Sequence, residues 1–180
     1  MRELGIALIG GGFMGKAHSL GYAMAPVLGG LDVKIRKEVL VDVTPEIASK
    51  AAEELGWNSS STDWREVIQR PDIDIVDIVT PPHLHAEIAR AAIAAGKHVF
   101  VEKPITNDAE EAETMWAEAV AAGVTTQVGF NYRHIPAITL AKRIIERGEI
   151  GLPPQYRASY FGDALNATGG MGWRDDRKTR

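Results

Sequence analysis

Cysteine is absent from the 180 residues, which excludes disulfides and thiolate metal sites. Basic residues are not in excess: 20 Lys and Arg against 24 Asp and Glu leave a net charge of −4. Phosphate binding needs a basic face, so nucleic acid is disfavoured as the main partner. No run approaches the ~18 apolar residues of a membrane span. The N-terminus lacks a signal peptide's apolar region and cleavage site, and Leu4 to Gly12 is too short and too glycine-rich for either. Internal repeats and low-complexity tracts are missing as well. The expectation is a soluble, cytoplasmic, acidic protein with no membrane partner. At 45% apolar and 24% charged residues the composition is globular. A chain of this length buries about 70% of its unfolded surface, and it amounts to one ~150-residue domain plus a remainder.

Short apolar runs alternate with helical patterns. Strands are expected at Leu4–Ile9, Val39–Val43, Ile75–Val79, His98–Val101 and Val124–Val128. Helices are expected at Phe13–Met24 (closed by Pro26), Pro45–Leu55, Asp63–Ile68 (capped by Thr62), Pro82–Ala95, Asp108–Ala122 and Pro136–Arg147. Several stop at a glycine, as Pro45–Leu55 does at Gly56. Ile75–Val79 is almost continuously apolar, which suits a strand covered on both faces. The alternation predicts an α/β fold: a Rossmann-type doubly wound parallel sheet with helices on both faces, over residues 1–150. Beyond Gly148 the rhythm breaks at Gly151-Leu152-Pro153-Pro154. Gln155–Phe161 then alternates like a strand with one solvated face. Residues 151–180 are too few for a core and are expected to begin an incomplete second, α+β domain.

Gly10-Gly11-Gly12-Phe13-Met14-Gly15 fits G-x-G-x-x-G directly after a strand and directly before a helix. Gly10 permits the tight turn, Gly12 lets the backbone approach a pyrophosphate, and Gly15 lets helix and strand pack closely. Phe13 and Met14 open the helix, whose N-terminus supplies donors and positive dipole. Asp42 ends the second strand, where such a fold presents a carboxylate to the adenosine ribose. Two hydroxyls donate to a carboxylate and a 2′-phosphate is repelled by it, so NAD is favoured over NADP. The stretch from Gly15 to Asp42 exceeds the usual ~20 residues, and the excess is assigned to an insertion over Pro26–Arg36. His83 and His85, two apart with no clustered third ligand, do not make a metal site.

Three further stretches carry a resemblance: Thr80-Pro81-Pro82-His83-Leu84-His85, Val101-Glu102-Lys103-Pro104 and Gly129-Phe130-Asn131-Tyr132-Arg133. With the glycine loop, they resemble the N-terminal half of the glucose–fructose oxidoreductase / inositol dehydrogenase / rhizopine-catabolism (Gfo/Idh/MocA) family, from Leu4 to about Arg174. The resemblance implies an NAD(P)-dependent oxidoreductase of a sugar or polyol, with hydride transfer at a secondary alcohol. Lys103 would be the catalytic lysine that hydrogen-bonds the reacting hydroxyl and shares its proton, at the carboxyl end of a parallel strand. Glu102 would bond to the nicotinamide-side ribose, and the Lys103–Pro104 peptide would be cis. Thr80 and Pro81 would lie against the diphosphate and ribose, with His85 near the cofactor. Asn131, with Tyr132 and Arg133, would contact cofactor or substrate, as would Arg174 of the Trp173-Arg174 pair. His18 resembles a histidine often found after the glycine loop and is read as packing.

Members of this family are normally about twice as long and are homo-oligomers. Their second half carries a D-x-G-x-H motif whose Asp and His work with the Lys, and nothing here matches it. The chain is therefore expected to be a fragment or a truncated product. Two alternatives stay open: a non-catalytic NAD-binding module or partner subunit, and a relative that cleaves glycosides with NAD.

Overall fold

In a computed structural model of the chain, which describes residues 2–30 and 32–162, six parallel strands form one sheet in the order β3-β2-β1-β4-β5-β6. The strands are β1 (Arg2–Ile9), β2 (Val33–Val41), β3 (Ser59–Ser61), β4 (Ile75–Ile78), β5 (His98–Val101) and β6 (Thr126–Val128). The helices are α1 (Phe13–Leu28), α2 (Pro45–Leu55), α3 (Trp64–Val67), α4 (His85–Ala94), α5 (Ala109–Ala122) and α6 (Pro136–Glu146). Strand side chains alternate between the two faces. Ala7, Ile9, Val76, Ile78, Val99 and Val101 pack with Ala89, Ala92, Met115 and Ala119 of α4 and α5. Ile6, Leu8 and Leu40 pack on the other side with Ala52 of α2 and Trp57. This is the doubly wound arrangement expected, with ligands favoured where the strand order reverses, between β1 and β4.

Local chemistry sets the helix ends. Thr44 and Asp108 cap α2 and α5 by accepting from Ile47 N–H and Glu111 N–H. Gly56 and Gly123 close the same helices in the left-handed conformation. Asp63, not Thr62, caps α3, because its carboxylate reaches both Arg65 N–H and Glu66 N–H. The first turn expected of the Pro82 helix is a separate 3-10 turn over Pro82–Leu84.

The expected insertion before Asp42 is regular structure instead. Helix α1 runs through Pro26 to Leu28, with Gly29 N–H bonded to Ala25 O at 2.8 Å. Strand β2 pairs with β1 from Val33 onward, and a bulge between Ile6 and Ala7 absorbs Glu38. A longer helix and a longer, bulged strand thus account for the spacing. Strand β3 is three serines at the sheet edge, and no apolar pattern marks it.

The chain divides into two compact units, one ending at Gly129 and the other starting at Phe130. Within the second, Asn131–His134 form a 3-10 turn, α6 follows, and Tyr132 OH donates to Tyr160 Oη at 3.2 Å. Gln155–Phe161 is not the expected strand: it has no regular structure and is exposed. A strand needs a neighbour for its N–H and C=O groups, and none pairs with this segment among the described residues. No helix of the described residues is long and apolar enough to cross a membrane.

Candidate cofactor and active site

All strands run the same way, so the ends of β1, β2, β4, β5 and β6 share one rim. Backbone bonds lace it together: Gly10 N–H to Val41 O, Val79 N–H to Ile9 O, Glu102 N–H to Ile78 O and Gly129 N–H to Val101 O, at 2.8–3.0 Å. The glycine loop, Asp42, Thr80-Pro81, Glu102-Lys103 and Gly129 are thereby brought side by side.

The three motif glycines do three different things. Gly10 has φ +110°, and a Cβ there would lie 3.0 Å from Val79 O. Gly15 is buried, and a Cβ on it would collide with the Gly10 carbonyl, so helix and strand touch through this residue. Gly12 faces open space, with no atom within 4 Å of where a Cβ would stand. As the N-cap of α1 it supplies no side chain to the helix's first N–H groups. Phe13 is 85% exposed beside it, and Met14 is half-buried.

Asp42 is tied to this loop. Its Oδ2 accepts from Gly11 N–H at 2.8 Å, and its Oδ1 accepts from Val43 N–H at 2.7 Å. On the other side of the loop, Thr80 Oγ1 is buried and has no hydrogen-bond partner. An open cradle, an uncapped helix start, a fixed carboxylate and an orphaned hydroxyl on one rim fit a dinucleotide.

His85 is 1% exposed, with Nδ1 2.7 Å from Pro104 O and Nε2 2.8 Å from Thr80 O. Both ring nitrogens are taken up by the protein. The ring is turned to two backbone carbonyls and joins two turns behind the rim. The Lys103–Pro104 peptide is cis, as expected. Lys103 itself projects at the rim, its side chain 55% exposed and its Nζ 3.8 Å from Glu102 Oε2. His83 is exposed, and His98 accepts from Thr125 N–H through Nδ1 at 3.0 Å. Asn131 starts the 3-10 turn of the second unit. Trp173 and Arg174 lie outside the described residues.

Beneath Glu102 lies a buried polar cluster that reading His18 as packing missed. His18 Nδ1 is 2.8 Å from Asp77 Oδ2, and its Nε2 is 3.4 Å from Glu102 Oε1. Tyr22 OH donates to Asp77 Oδ2 at 2.8 Å, and Phe100 stacks on the imidazole with centroids 5.0 Å apart. Asp77 is fully buried. Burial raises its carboxyl above the ordinary range, against the opposing pull of His18 and Tyr22. Burial lowers the pKa of His18, but Asp77 and then Glu102 more than reverse this, and it ends above the ordinary 6.5. Both shifts express one fact: the folded chain holds a proton between these two residues more tightly than water does. Burial, with the Asp77 charge and hydrogen bond, holds the Tyr22 phenol far above its usual range, so it stays a donor. The sequence carried a signal for this cluster: an acid inside an apolar strand, facing a His and a Tyr one helical turn apart.

The fold and rim define a dinucleotide-binding domain of the Rossmann class. The sequence model of the Gfo/Idh/MocA oxidoreductase family, NAD-binding Rossmann fold, matches residues 4–130. The chain belongs to this family. It is 45% identical over 177 residues to levoglucosan dehydrogenase of Pseudarthrobacter phenanthrenivorans, covering 97% of this chain and 45% of that protein. It is 44% identical over 110 residues to the NAD⁺-dependent scyllo-inositol 2-dehydrogenase of Bacillus subtilis, covering 61% of this chain and 32% of that enzyme. A solved levoglucosan dehydrogenase in complex with NADH and levoglucosan superposes with a TM-score of 0.80 at 47% identity, over 83% of this chain and 41% of that one. The chain thus spans less than half the length of these relatives.

Proposed function

We propose that the chain is the cofactor-binding part of an NAD-dependent dehydrogenase that oxidises a secondary alcohol of a sugar, anhydrosugar or polyol. The observation that carries this reading is the single rim on which the open Gly12 cradle, Asp42 and the Glu102-Lys103 pair are laced together. Gly12 and the start of α1 receive the pyrophosphate, and Asp42 takes the adenosine ribose hydroxyls. Thr80 Oγ1 donates to the cofactor beside the loop, and Glu102 bonds to the second ribose. The bound nicotinamide supplies the hydride acceptor. Lys103 Nζ hydrogen-bonds the reacting hydroxyl and moves its proton, help worth roughly 10²–10⁴-fold when well placed.

The anhydrosugar in the substrate class follows from the levoglucosan dehydrogenase, whose matched part is 45% identical over 97% of this chain. Residues 151–180 open the part that shapes the substrate pocket, and the whole protein works as a homo-oligomer. A chimera tests the reading: the 180 residues replace the matching N-terminal part of the Pseudarthrobacter enzyme, and NADH formation is followed over levoglucosan, aldoses and inositols. Oxidation that disappears with Lys103→Ala is the expected result. A folded, NAD-binding chimera with no Lys103-dependent oxidation overturns it.

A further inference from the structure

We propose that His18, clamped between Asp77 and Glu102, is a positioning residue that fixes the Glu102 carboxylate for the cofactor and makes dinucleotide affinity fall as pH rises. This rests on the reading of the rim as an NAD site.

The Glu102 carboxylate is nearly buried and enclosed on three sides. His18 Nε2 lies 3.4 Å from Oε1, and Lys103 N–H donates to Oε2 at 3.2 Å. On the third side is Gly129, where a Cβ would collide with Glu102 Oε1. Of these three the histidine alone can change state; the Lys103 ammonium, 3.8 Å from Oε2, is the other titratable neighbour.

Its state is set from behind. Asp77 accepts from Nδ1–H and from the Tyr22 hydroxyl, as an ionised carboxylate does. With Nδ1–H committed to Asp77, the doubly protonated ring presents its Nε2–H to Glu102 Oε1 as an ion-pair contact at 3.4 Å. Loss of one proton leaves Nδ1–H in place and turns the Nε2 lone pair toward a carboxylate, which repels it. Glu102 then loses its rear donor and its fixed direction. The titratable and charged groups around the ring are Tyr22 on its own helix, Asp77 on β4, and Glu102 with the Lys103 ammonium after β5. Asp77 and Glu102 are the nearest, and both favour the charged ring.

The test is the NADH affinity of the full 180-residue chain as a function of pH, read by nucleotide fluorescence. Dissociation constants should rise about tenfold as the pH climbs from 6.5 into the alkaline range, the loss of one partly buried ion-pair contact. His18→Gln keeps an N–H donor for Glu102 but cannot titrate, so it should bind near the low-pH affinity at every pH. Lys103→Met should retain the step, which separates the histidine from the lysine. Nitrogen-15 NMR of the imidazole should show both ring nitrogens protonated below pH 6.5, with titration moved to lower pH by Asp77→Asn. If His18→Gln proves unfolded, that NMR titration and Glu102→Gln, which should also abolish the step, decide the matter. A step that survives in the folded glutamine variant, or a wild-type chain with none, overturns the proposal while the NAD reading stands. No NADH binding at any pH overturns both.

Discussion

The carboxylate of Asp42 accepts a hydrogen bond from the backbone N–H of Gly11 at 2.8 Å, so the second strand's terminal acid and the glycine loop are one unit. A Cβ on Gly11 would lie 3.0 Å from Asp42 Oδ2, which leaves no freedom between them. A carboxylate has about four lone-pair sites, and two are taken by the amides of Gly11 and Val43. Two are left for ribose hydroxyls. Asp42→Ala should therefore weaken NAD by roughly 10- to 100-fold, the ~1.5–3 kcal/mol of hydrogen bonds to a charged group. NADP should lose less, because the same change removes a repulsion. Calorimetric titration with both nucleotides checks it, and an unchanged ratio of affinities counts against the role given to Asp42.

Gly12 and Gly15 make opposite predictions although they belong to one motif. Gly12 has nothing near its missing side chain, so Gly12→Val should leave the fold intact and abolish NAD binding by filling the pyrophosphate's approach. A Cβ at Gly15 would run into the Gly10 carbonyl, so Gly15→Ala should destabilise the fold by about 1–3 kcal/mol. Thermal melts and NAD titrations of both variants separate the two effects. A Gly12→Val chain that binds NAD normally would remove the loop from the cofactor site.

Stability should depend on pH through His18. Its folded pKa is raised above 6.5 by Asp77 and Glu102 against the cost of burial, so the native chain holds more protons than the unfolded one above that pH. The stabilisation is complete below the unfolded value and is lost as the pH rises through the folded value. Urea midpoints should accordingly fall as the pH rises above 6.5, and the fall should flatten in His18→Gln. Asp77→Ala leaves a buried cation and a phenol without their acceptor and should cost roughly 3–5 kcal/mol. Asp77→Asn, which keeps an acceptor, should cost less.

Reading these residues in order shows where sequence carries a site and where it does not. The glycine loop was legible because each glycine answers a backbone demand, a positive φ at Gly10 and a collision at Gly15. The parallel, doubly wound sheet followed from the alternation of strands and helices, since buried parallel strands and helix caps leave local marks. Strand β3 left none, because three edge serines pair through backbone alone. The Gly15–Asp42 spacing does not come from an insertion over Pro26–Arg36: Pro26 reads as a helix end, whereas α1 runs through it and a longer, bulged β2 takes up the rest. His18 and Asp77 are 59 positions apart, and their bond belongs to the way α1 lies across β4 and β5. That kind of juxtaposition has no local signature, although an acid in an apolar strand is a warning that a partner exists.

His85 offers the last test, because it joins two turns of the rim from behind. Its two ring nitrogens face the carbonyls of Thr80 and Pro104, and so it couples the turn after β4 to the turn after β5. One turn carries the orphaned Thr80 hydroxyl and the other carries Lys103. His85→Phe keeps the ring's shape but removes the imidazole N–H, so at least one of the two carbonyls loses its donor, at about 1–3 kcal/mol. Stability should drop by a few kcal/mol in urea unfolding. NADH affinity should drop as well, by about tenfold or more, because both turns lose a common anchor. His85→Gln can restore one of the two bonds and should recover part of each loss. The two losses should scale together across the variants if the turns act as one unit. A destabilised His85→Phe chain that binds NADH as the wild type does would show that the turns hold their positions independently.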